Sequence, residues 1–385
     1  MKIEKTIEKG LRLLVLMGLL VLTGCSEDSE DSKAGVTVEL VGFVADYQEV
    51  NEAQKANEVT RAWTPYEGYS VDPALADNSI TVFFTQKENV PTGGYEEEYF
   101  FKSGDKWRVS KTDLAADTYF LYGYMPHDPS ITPTVEVLGE GKTFEDGAVL
   151  TLTNMPTVTA EDLCVMVGAK NGTDDSHDNG LRPGDFTYVA QLTQAAGETP
   201  KGNNYVFLLF DHIYSAISYN MRVKIEYNNL RTIKLKGLSL QTFTGAMDPT
   251  KKKTNAVIKL KKTEEGGDPI TSIVFEGNGT QVGAGGFYQN ADGEELNTDY
   301  KTFQGNFMPQ GVTKLVLTSK YDVYDKQGNL IRQDCEATNT LDIKELFRDD
   351  SAKRGRRYTL NLTIQPTYLY VLSEPDLDNP TVVVE

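Results

Sequence analysis

The stretch YVFLLFDHIYSAISYNMRVKIEY, residues 205–227, decides the fold class. It opens with an apolar run, and from Ile213 onward its apolar residues recur mostly at every second position. That is the period of a β-strand, whose successive side chains point to opposite faces. A second stretch, RYTLNLTI at 357–364, alternates cleanly and stops at Pro366. Both stretches predict strands, and the first predicts one long strand from Ile213 to Tyr227.

Similar short segments extend outward from these two stretches. Ile80, Val82 and Phe84 share one strand face, and Tyr99–Lys102 with Lys106–Val109 predict a hairpin. Gly237 interrupts an alternating strand, as a β-bulge does. Residues 341–347 form the one convincing helical turn. Further strands are predicted at residues 118–124, 149–153, 163–167, 205–210, 256–260, 272–275, 302–307 and 312–323.

Strands therefore dominate, and no strand–helix alternation is present. This pattern predicts an all-β chain with two antiparallel β-sandwich domains in series. At 385 residues the chain is also long enough for two domains. The predicted division is a leader (1–25), a tether with the first strand and a cleavable pro-segment (26–61), an N-terminal sandwich (62–204), a C-terminal sandwich (205–366) and a tail (367–385).

The N-terminus carries an export signal. Basic residues precede an apolar run, Leu13–Leu22, that is too short to span a bilayer. The run ends in Leu22-Thr23-Gly24-Cys25, which resembles a bacterial lipobox, and this predicts acylation of Cys25, a palmitate-type anchor to the outer membrane. The alternative is an ordinary signal peptide with a chance cysteine. The acidic stretch 26–32 predicts a flexible tether and resembles the export signal of surface lipoproteins in Bacteroides-type bacteria.

A first strand is predicted after the tether. Val36, Val38 and Leu40 alternate with other residues, and the pattern shifts at Gly42 so that Phe43 continues it. Residues 48–60 are polar; they allow a short helix but hold too few apolar residues to fix one. This polar stretch ends just before Arg61 and Ala62.

Composition argues against several functions. The net charge of −18 repels nucleic acid, so no nucleic-acid partner is expected. The three histidines form no metalloprotease motif, and no nucleophile elbow, phosphate loop or dinucleotide fingerprint occurs. We therefore expect no enzyme, no cofactor and no metal; a chance glycosidase carboxylate pair is a remote alternative. The loop 174–180 suggests calcium, but Phe186 stands where an EF-hand needs its last ligand.

Three further features of the sequence allow more than one structural interpretation. His212 is expected to be a structural residue rather than a ligand. Cys164 and Cys335 could form a disulfide, although Cys164 also suits a small buried apolar position. The basic run 353–357 is expected to be solvated, with a second protease-sensitive loop or a contact for an acidic neighbour as alternatives.

Four features together resemble the fimbrillins, the type V pilin subunits of Bacteroides-type bacteria. The first is the lipobox at Cys25, and the second is the polar segment that ends at Arg61 before Ala62-Trp63-Thr64. The third is Phe210-Asp211-His212 leading into a long strand, followed by RTIKLK at 231–236. The fourth is RYTLNLTI at 357–364. Each is weakly specific, and their order along most of the chain is more specific.

The resemblance implies a lipoprotein precursor with two transthyretin-like sandwiches. It implies that a trypsin-like, Arg-specific protease cuts after Arg61, that the first strand then leaves, and that a strand of another pilin subunit fills its groove. The displaced side chains would be Val36, Val38, Leu40 and Phe43. The tail is the candidate donor strand, through Tyr368, Tyr370, Leu372, Val382 and Val384, unless it closes its own sheet edge instead.

The resulting hypothesis is a structural subunit of a surface pilus with a role in adhesion. It would occupy the outer membrane first and the fimbrium after processing. The alternative is a lipid-anchored adhesin, glycan-binding protein or pilus anchor subunit that does not polymerise. In that case Trp63, Tyr66 and Tyr69 are a candidate sugar platform, and the bond after Arg61 stays intact.

Overall fold

The fold was analysed in a computed structural model of the chain. It describes residues 36, 38–50, 63–65, 80–87, 95–103, 106–109, 114–156, 162–172, 184–193, 204–247, 254–264, 267–276, 279–281, 288–369 and 374–384. These residues form β-strands almost throughout, with two short helices, α1 (Ile225–Asn228) and α2 (Ile343–Phe347). The all-β prediction is confirmed.

The first twelve strands in chain order are β1 (Glu39–Ala45), β2 (Gln48–Val50), β3 (Trp63–Pro65), β4 (Ile80–Thr85), β5 (Tyr95–Ser103), β6 (Lys106–Val109), β7 (Thr118–Met125), β8 (Thr132–Val137), β9 (Gly147–Thr153), β10 (Cys164–Gly172), β11 (Val189–Gln191) and β12 (Tyr205–His212). They are followed by β13 (Tyr214–Val223), β14 (Thr232–Phe243), β15 (Asn255–Lys261), β16 (Ile270–Glu276), β17 (Gly279–Gln281), β18 (Tyr288–Leu296), β19 (Lys301–Pro309), β20 (Lys314–Tyr324), β21 (Leu330–Asp342), β22 (Arg356–Leu369) and β23 (Glu374–Val384).

Four sheets result from these strands. Sheet A has the order β10-β12-β1-β6-β5-β4-β7-β11, with β3 beside β1 and an additional pairing of β7 with β10. Sheet B runs β19-β13-β22-β2 with β23 beside β22, and sheet C runs β16-β15-β9-β8. Sheet D runs β17-β14-β20-β21 with β18 beside β14. The long apolar stretch 205–223 thus supplies one strand to sheet A and the next to sheet B.

Three hydrophobic clusters form the core. Cluster 1 joins one face of sheet A to sheet C, and cluster 2 joins sheets B and D. Cluster 3 is built from the other face of sheet A. Central strands of sheet A therefore bury both faces: in β4, Ile80, Val82 and Phe84 belong to cluster 3, whereas Phe83 belongs to cluster 1.

Close strand packing explains one glycine of sheet A. Gly123 of β7 lies opposite Val82 of β4. A Cβ atom at Gly123 would come within 2.1 Å of the backbone oxygen of Thr81. A backbone oxygen inside a sheet cannot move aside cheaply, so only glycine allows this approach of the two strands.

Several local predictions are confirmed. The hairpin predicted at 99–109 is β5–β6, and the pairing register of β14 shifts at Gly237 as predicted. The helical turn near the C-terminus is α2. It begins after Asp342, whose side chain accepts the Lys344 backbone N–H at 2.9 Å, and ends at Arg348 in the left-handed region.

Three predictions about strands are wrong or incomplete. Residues 213–227 do not form one strand, because β13 ends at Val223 and α1 follows. Residues 48–50 form a strand rather than part of a helix. The sandwiches are not purely antiparallel: β1 pairs with β12, and both β2 and β13 pair with β22, in parallel. These parallel contacts join segments far apart in the chain, which a local pattern does not reveal.

Segments from both sides of the predicted boundary near residue 204 share one core. β12 lies in sheet A between β10 and β1, and β15, from residue 255 onward, pairs with β9 in sheet C. Both strands contribute side chains to cluster 1. The division into domains therefore stays a prediction, and the boundary at 204 does not separate the hydrophobic clusters.

Two further predictions concern cysteines and membrane spans. Cys164 and Cys335 are both buried, and neither takes part in a disulfide among the described residues.

In the described part of the chain, no helix has the length and apolar character required to traverse a membrane.

Candidate functional site

The first strand lies inside sheet A, not at its edge. β1 pairs in parallel with β12 from Glu39↔Tyr205 to Val44↔Phe210. On its other side it pairs with β6 at residues 39–40 and with β3 at residues 43–45, both antiparallel. Loss of β1 would therefore leave two unpaired strand edges facing each other across a gap.

The side chains of this segment fill both faces of sheet A. Val36, Val38 and Leu40 are at most 4% exposed and belong to cluster 3. Phe43 is fully buried in cluster 1. The prediction that Phe43 continues the face of Leu40 is wrong: the strand keeps its two-residue period through Gly42, so that odd and even positions enter different clusters.

The same segment continues into sheet B. β2 pairs with β22 from Gln48↔Arg356 to Val50↔Tyr358, and the Gln48 N–H donates to the Gly355 carbonyl at 2.9 Å. Val50 packs against cluster 2. Residues 36–50 thus contribute to all three clusters, and one continuous segment completes two sheets.

A buried polar cluster lies under the junction between β1 and β2. The ring of His212 directs Nδ1 toward Asp162, with 2.7 Å between Nδ1 and Oδ2, and toward the Cys164 sulfur at 3.3 Å. Its Nε2 contacts the carbonyl oxygen of Ala45. The Tyr47 ring stacks on the His212 ring at 3.9 Å, and its hydroxyl donates to Asp162 Oδ1 at 2.7 Å.

Electrostatics inside this cluster favour a charged imidazole. Burial by itself disfavours the charged form, but the adjacent carboxylates of Asp162 and Asp211 and the hydrogen bond to Ala45 outweigh it and raise the pKa of His212. Burial and the neighbouring Asp162 raise the pKa of Tyr47, so its phenol stays a donor. The segment is thus attached by polar contacts as well as by apolar ones.

The basic run 353–357 stabilises the same region. Arg354 is 11% exposed and pairs with Asp211 at 2.5 Å, and it also contacts Asp268. Arg357 pairs with Glu49 of β2 at 3.3 Å and lies over the Tyr47 ring. The expectation of a solvated run is therefore wrong, because carboxylates from distant strands meet it in the fold.

The remaining cations of this run surround Asp349. Lys353 Nζ lies 3.0 Å and Arg356 Nη1 2.9 Å from its carboxylate, and the Tyr358 hydroxyl donates to it at 2.9 Å. Partial burial would raise the pKa of Asp349, but these hydrogen bonds and charges prevail and lower it. Asp349 is therefore an ionised anchor for the start of β22.

The tail, which is the candidate donor strand, pairs with β22 in sheet B of the same chain. β23 pairs antiparallel with β22 from Leu362↔Val384 to Leu369↔Glu374. Val382 is 2% exposed in cluster 2, Val384 packs against that cluster, and Asn339 donates to the Val382 carbonyl at 2.8 Å. In this structure the tail closes the edge of its own sheet, which was the alternative to strand donation. β2 and β23 cover successive parts of the same β22 edge.

Several predicted residues lie outside the description. Cys25, Arg61, Ala62, Tyr66, Tyr69, Tyr370 and Leu372 fall outside the described residues. Tyr368 and Trp63 are described only as strand positions, on β22 and β3. Trp63 pairs with Ala45 of β1. The bond after Arg61 therefore lies in the connection from β2 to β3, so that a cut there would separate the first segment from the remaining chain.

Sequence reasoning missed the polar cluster. Cys164 and His212 are 48 residues apart in the chain and face each other only because β10 pairs with β12. The one available signal was a set of polar residues flanking apolar strands: Asp162 before Leu163, and Asp211 and His212 after Phe210. That signal does not indicate which residues meet.

The fold and the site define an all-β protein whose N-terminal segment is built into two of its sheets. No protein-family profile matches the sequence, and no curated protein matches it. Among solved structures, the chain is similar to a fimbrial protein from Bacteroides vulgatus, with 13% identity, a TM-score of 0.34, and coverage of 91% of this chain and 98% of that one.

A second similar structure is the fimbrial anchor protein Mfa2 from Porphyromonas gingivalis. The identity is 11%, the TM-score is 0.28, and the match covers 90% of this chain and 95% of that one. Both of these structures are described as fimbrial proteins, the kind of protein that the sequence resemblance named.

Proposed function

We propose that the chain is a structural subunit of a surface pilus with a role in adhesion, assembled by exchange of its first strand. It is exported as a lipoprotein, acylated at Cys25 and held at the outer membrane. A trypsin-like protease then cuts between Arg61 and Ala62, and the subunit enters the fimbrium. The observation that carries the proposal is that residues 36–50 complete two sheets while preceding the cut.

The groove left by this segment has the properties that strand addition requires. Its edges are β12 on one side and β3 with β6 on the other. Without β1, both edges present unpaired backbone N–H and C=O groups to which an extended chain can hydrogen-bond. Its floor is apolar on both faces, because β1 contributes to clusters 1 and 3. A strand that carries apolar side chains on both of its faces fits both demands.

The size of the apolar contribution supports strong binding of a replacement strand. Burying a large apolar side chain contributes about 1.5–3 kcal/mol. Refilling the sites of Val36, Val38, Leu40 and Phe43 therefore contributes roughly 6–12 kcal/mol before the cost of ordering the incoming strand. The backbone pairings with β12 add to this.

The tail is the proposed donor. Val382 and Val384 lie at alternate positions of β23, so their side chains share one face and can enter one of the two clusters that line the groove. β23 also lies beside the part of the β22 edge that β2 covers, so that loss of β2 leaves a longer free edge next to the tail. The donor set would comprise these two valines with Tyr368, Tyr370 and Leu372.

We also propose that the chain is not an enzyme. Among the described residues, the buried cysteine–histidine–carboxylate group of Cys164, His212 and Asp162 does not have the geometry of a nucleophilic relay. In such a relay the imidazole uses one nitrogen for the thiol and the other for the carboxylate. Here Cys164 and Asp162 both face Nδ1 of His212, and Cys164 is 1% exposed.

The test is limited digestion of the purified chain by an Arg-specific protease. We expect a new N-terminus at Ala62, followed by oligomers that resist sodium dodecyl sulfate. The matched control is Arg61→Ala, which should remain intact and monomeric. A variant shortened after residue 373 should be cut but should form no ladder by itself. The proposal fails if the cut wild-type chain stays monomeric.

The position of the tail favours a second candidate function. Because β23 is already paired with β22, the chain can also be a lipid-anchored adhesin, a glycan-binding protein or a pilus anchor that donates no strand. Mass spectrometry of the mature N-terminus on cells separates the two functions. An acylated Cys25 with an uncut Arg61 supports the second, and a start at Ala62 supports the first.

A further inference from the structure

Three potential metal ligands converge beneath the first segment. Asp162, Cys164 and His212 each offer one ligand atom, and these atoms lie within 4.8 Å of one another. Nδ1 of His212 is 2.7 Å from Oδ2 of Asp162 and 3.3 Å from Sγ of Cys164. Asp162 and His212 have side chains only 5% and 4% exposed, and Cys164 is 1% exposed. The convergence is set by the fold, because Cys164 and His212 are paired directly across β10 and β12.

The donor set suits one class of ion. Thiolate, imidazole and carboxylate are the ligands of zinc, and three protein ligands are the number found in zinc sites that keep one further coordination position. A water molecule or the second oxygen of Asp162 can occupy that position. Softer or harder cations are less suited, because the set combines one sulfur, one nitrogen and one oxygen.

The outer hydrogen bonds are those of a metal site. A ligating histidine usually donates its other ring N–H to a carbonyl or carboxylate, which orients the ring. Nε2 of His212 makes such a contact with the carbonyl of Ala45. The oxygen of Asp162 that does not face His212 accepts the hydroxyl of Tyr47 at 2.7 Å. Each of these two ligands is thus oriented by a residue of the first segment.

We propose that Asp162, Cys164 and His212 bind one divalent transition-metal ion of the zinc type. In the ion-free cluster Nδ1 of His212 faces the Asp162 carboxylate, and Nε2 faces the Ala45 carbonyl. The incoming ion replaces the proton on Nδ1 and the thiol proton, and both protons leave to solvent. The thiolate and the carboxylate then balance the two positive charges of the ion, which avoids the cost of an unpaired buried charge.

Metal binding and retention of the first segment then stabilise each other. Ala45 ends β1 and Tyr47 lies between β1 and β2, so displacement of the first segment removes both outer hydrogen bonds from the ligands. By reciprocity, a bound ion stabilises the segment in its place in the sheets. Only this linkage rests on strand exchange; the binding site itself does not depend on any cleavage.

The test uses Co²⁺ as a spectroscopic probe on the full chain, purified metal-free and reduced. We expect one Co²⁺ per chain with the charge-transfer absorption of a cobalt–thiolate bond. Cys164→Ser should abolish this band. The matched control is Cys335→Ser, which alters the other buried cysteine, on β21, and should keep the band. Tyr47→Phe should keep the band and weaken binding by about 10–100-fold.

A second measurement covers variants that fold poorly. Zn²⁺ should raise the unfolding temperature of the wild-type chain and of Cys335→Ser, but not that of Asp162→Asn, with circular dichroism as the folding control. The proposal is overturned if the folded wild-type chain gives no thiolate band, if Cys164→Ser keeps it, or if Asp162→Asn shows the same Zn²⁺ effect. A hydrogen-bonded network without an ion is then the whole role of the cluster. Pilus assembly after cleavage is read out separately, so either proposal can fail alone.

Discussion

Leu40→Ala should destabilise the precursor while leaving the assembled filament unchanged. Leu40 is fully buried in cluster 3, opposite Trp107 of β6 and Val206 of β12. Truncating such a leucine to alanine removes its transfer free energy and leaves a cavity, at a cost of about 2–5 kcal/mol. Under the proposed mechanism this cost falls only on the uncut chain, because the segment that carries Leu40 is absent from the filament.

The matched control is Leu208→Ala. Leu208 is equally buried in the same cluster, but it lies on β12, which every subunit keeps. This substitution should therefore lower the stability of both the precursor and the filament by a similar amount. The comparison isolates the location of the side chain from its chemistry.

The assay has two parts. Urea unfolding of the uncut chains measures the free energy of unfolding, and heating in sodium dodecyl sulfate measures dissociation of oligomers formed after cleavage. We expect Leu40→Ala to shift the first and Leu208→Ala to shift both. The mechanism is refuted if Leu40→Ala weakens the oligomers as much as Leu208→Ala does, since the first segment would then remain in place.

Further predictions concern charge and packing. Arg354→Ala should lower the free energy of unfolding by about 3–5 kcal/mol, because it removes the cation that pairs with the buried Asp211 carboxylate. Arg357 is more exposed, and Arg357→Ala should cost below about 1 kcal/mol in the same urea titration. Folding lowers the pKa of Asp349, so its carboxylate stabilises the folded chain at pH values above the ordinary aspartate pKa. This stabilisation is lost as the pH falls below about 4 toward the pKa in the folded chain. Asp349→Asn should therefore make the free energy of unfolding depend less on pH in this acid range. Gly123→Ala should cost about 1–3 kcal/mol by calorimetry through its clash with backbone, while Gly237→Ala, whose Cβ would meet its nearest atom at 3.4 Å, should be tolerated.

Local features of the fold were predictable from short patterns. The β5–β6 hairpin, the bulge at Gly237 and the helix α2 depend on residues close in sequence. Alternation of apolar and polar residues depends only on the two-residue period of a strand. These predictions needed no knowledge of which strand lies next to which.

Predictions that depended on strand partners failed. Phe43 enters a different cluster from Leu40 because β1 is covered on both faces, which one strand's pattern does not show. Gln48–Val50 contains too few apolar residues to predict a strand, yet β22 supplies an edge that it completes. The boundary at 204 stays a prediction, but β12, which follows it, inserts between β1 and β10 and shares hydrophobic clusters with them.

The candidate site divides in the same way. Burial of Val36, Val38 and Leu40 followed from their apolar alternation, and the structure places all three in one cluster. The cluster of Asp162, Cys164 and His212 did not follow from the sequence, because each residue is unremarkable where it stands in the chain. The pairing of β10 with β12 brings them together.

The sequence by itself determined the all-β class, the apolar first segment and the positions of most strands, since hydrophobic periodicity is a property of neighbours along the chain. The tertiary structure alone decided that this segment completes two sheets, that its two faces enter different clusters, and that a polar cluster lies beneath its junction. The physical reason is that pairing between strands far apart in the chain sets their register and decides which side chains face each other. The pattern within one short stretch of sequence carries no information about which distant strand pairs with it.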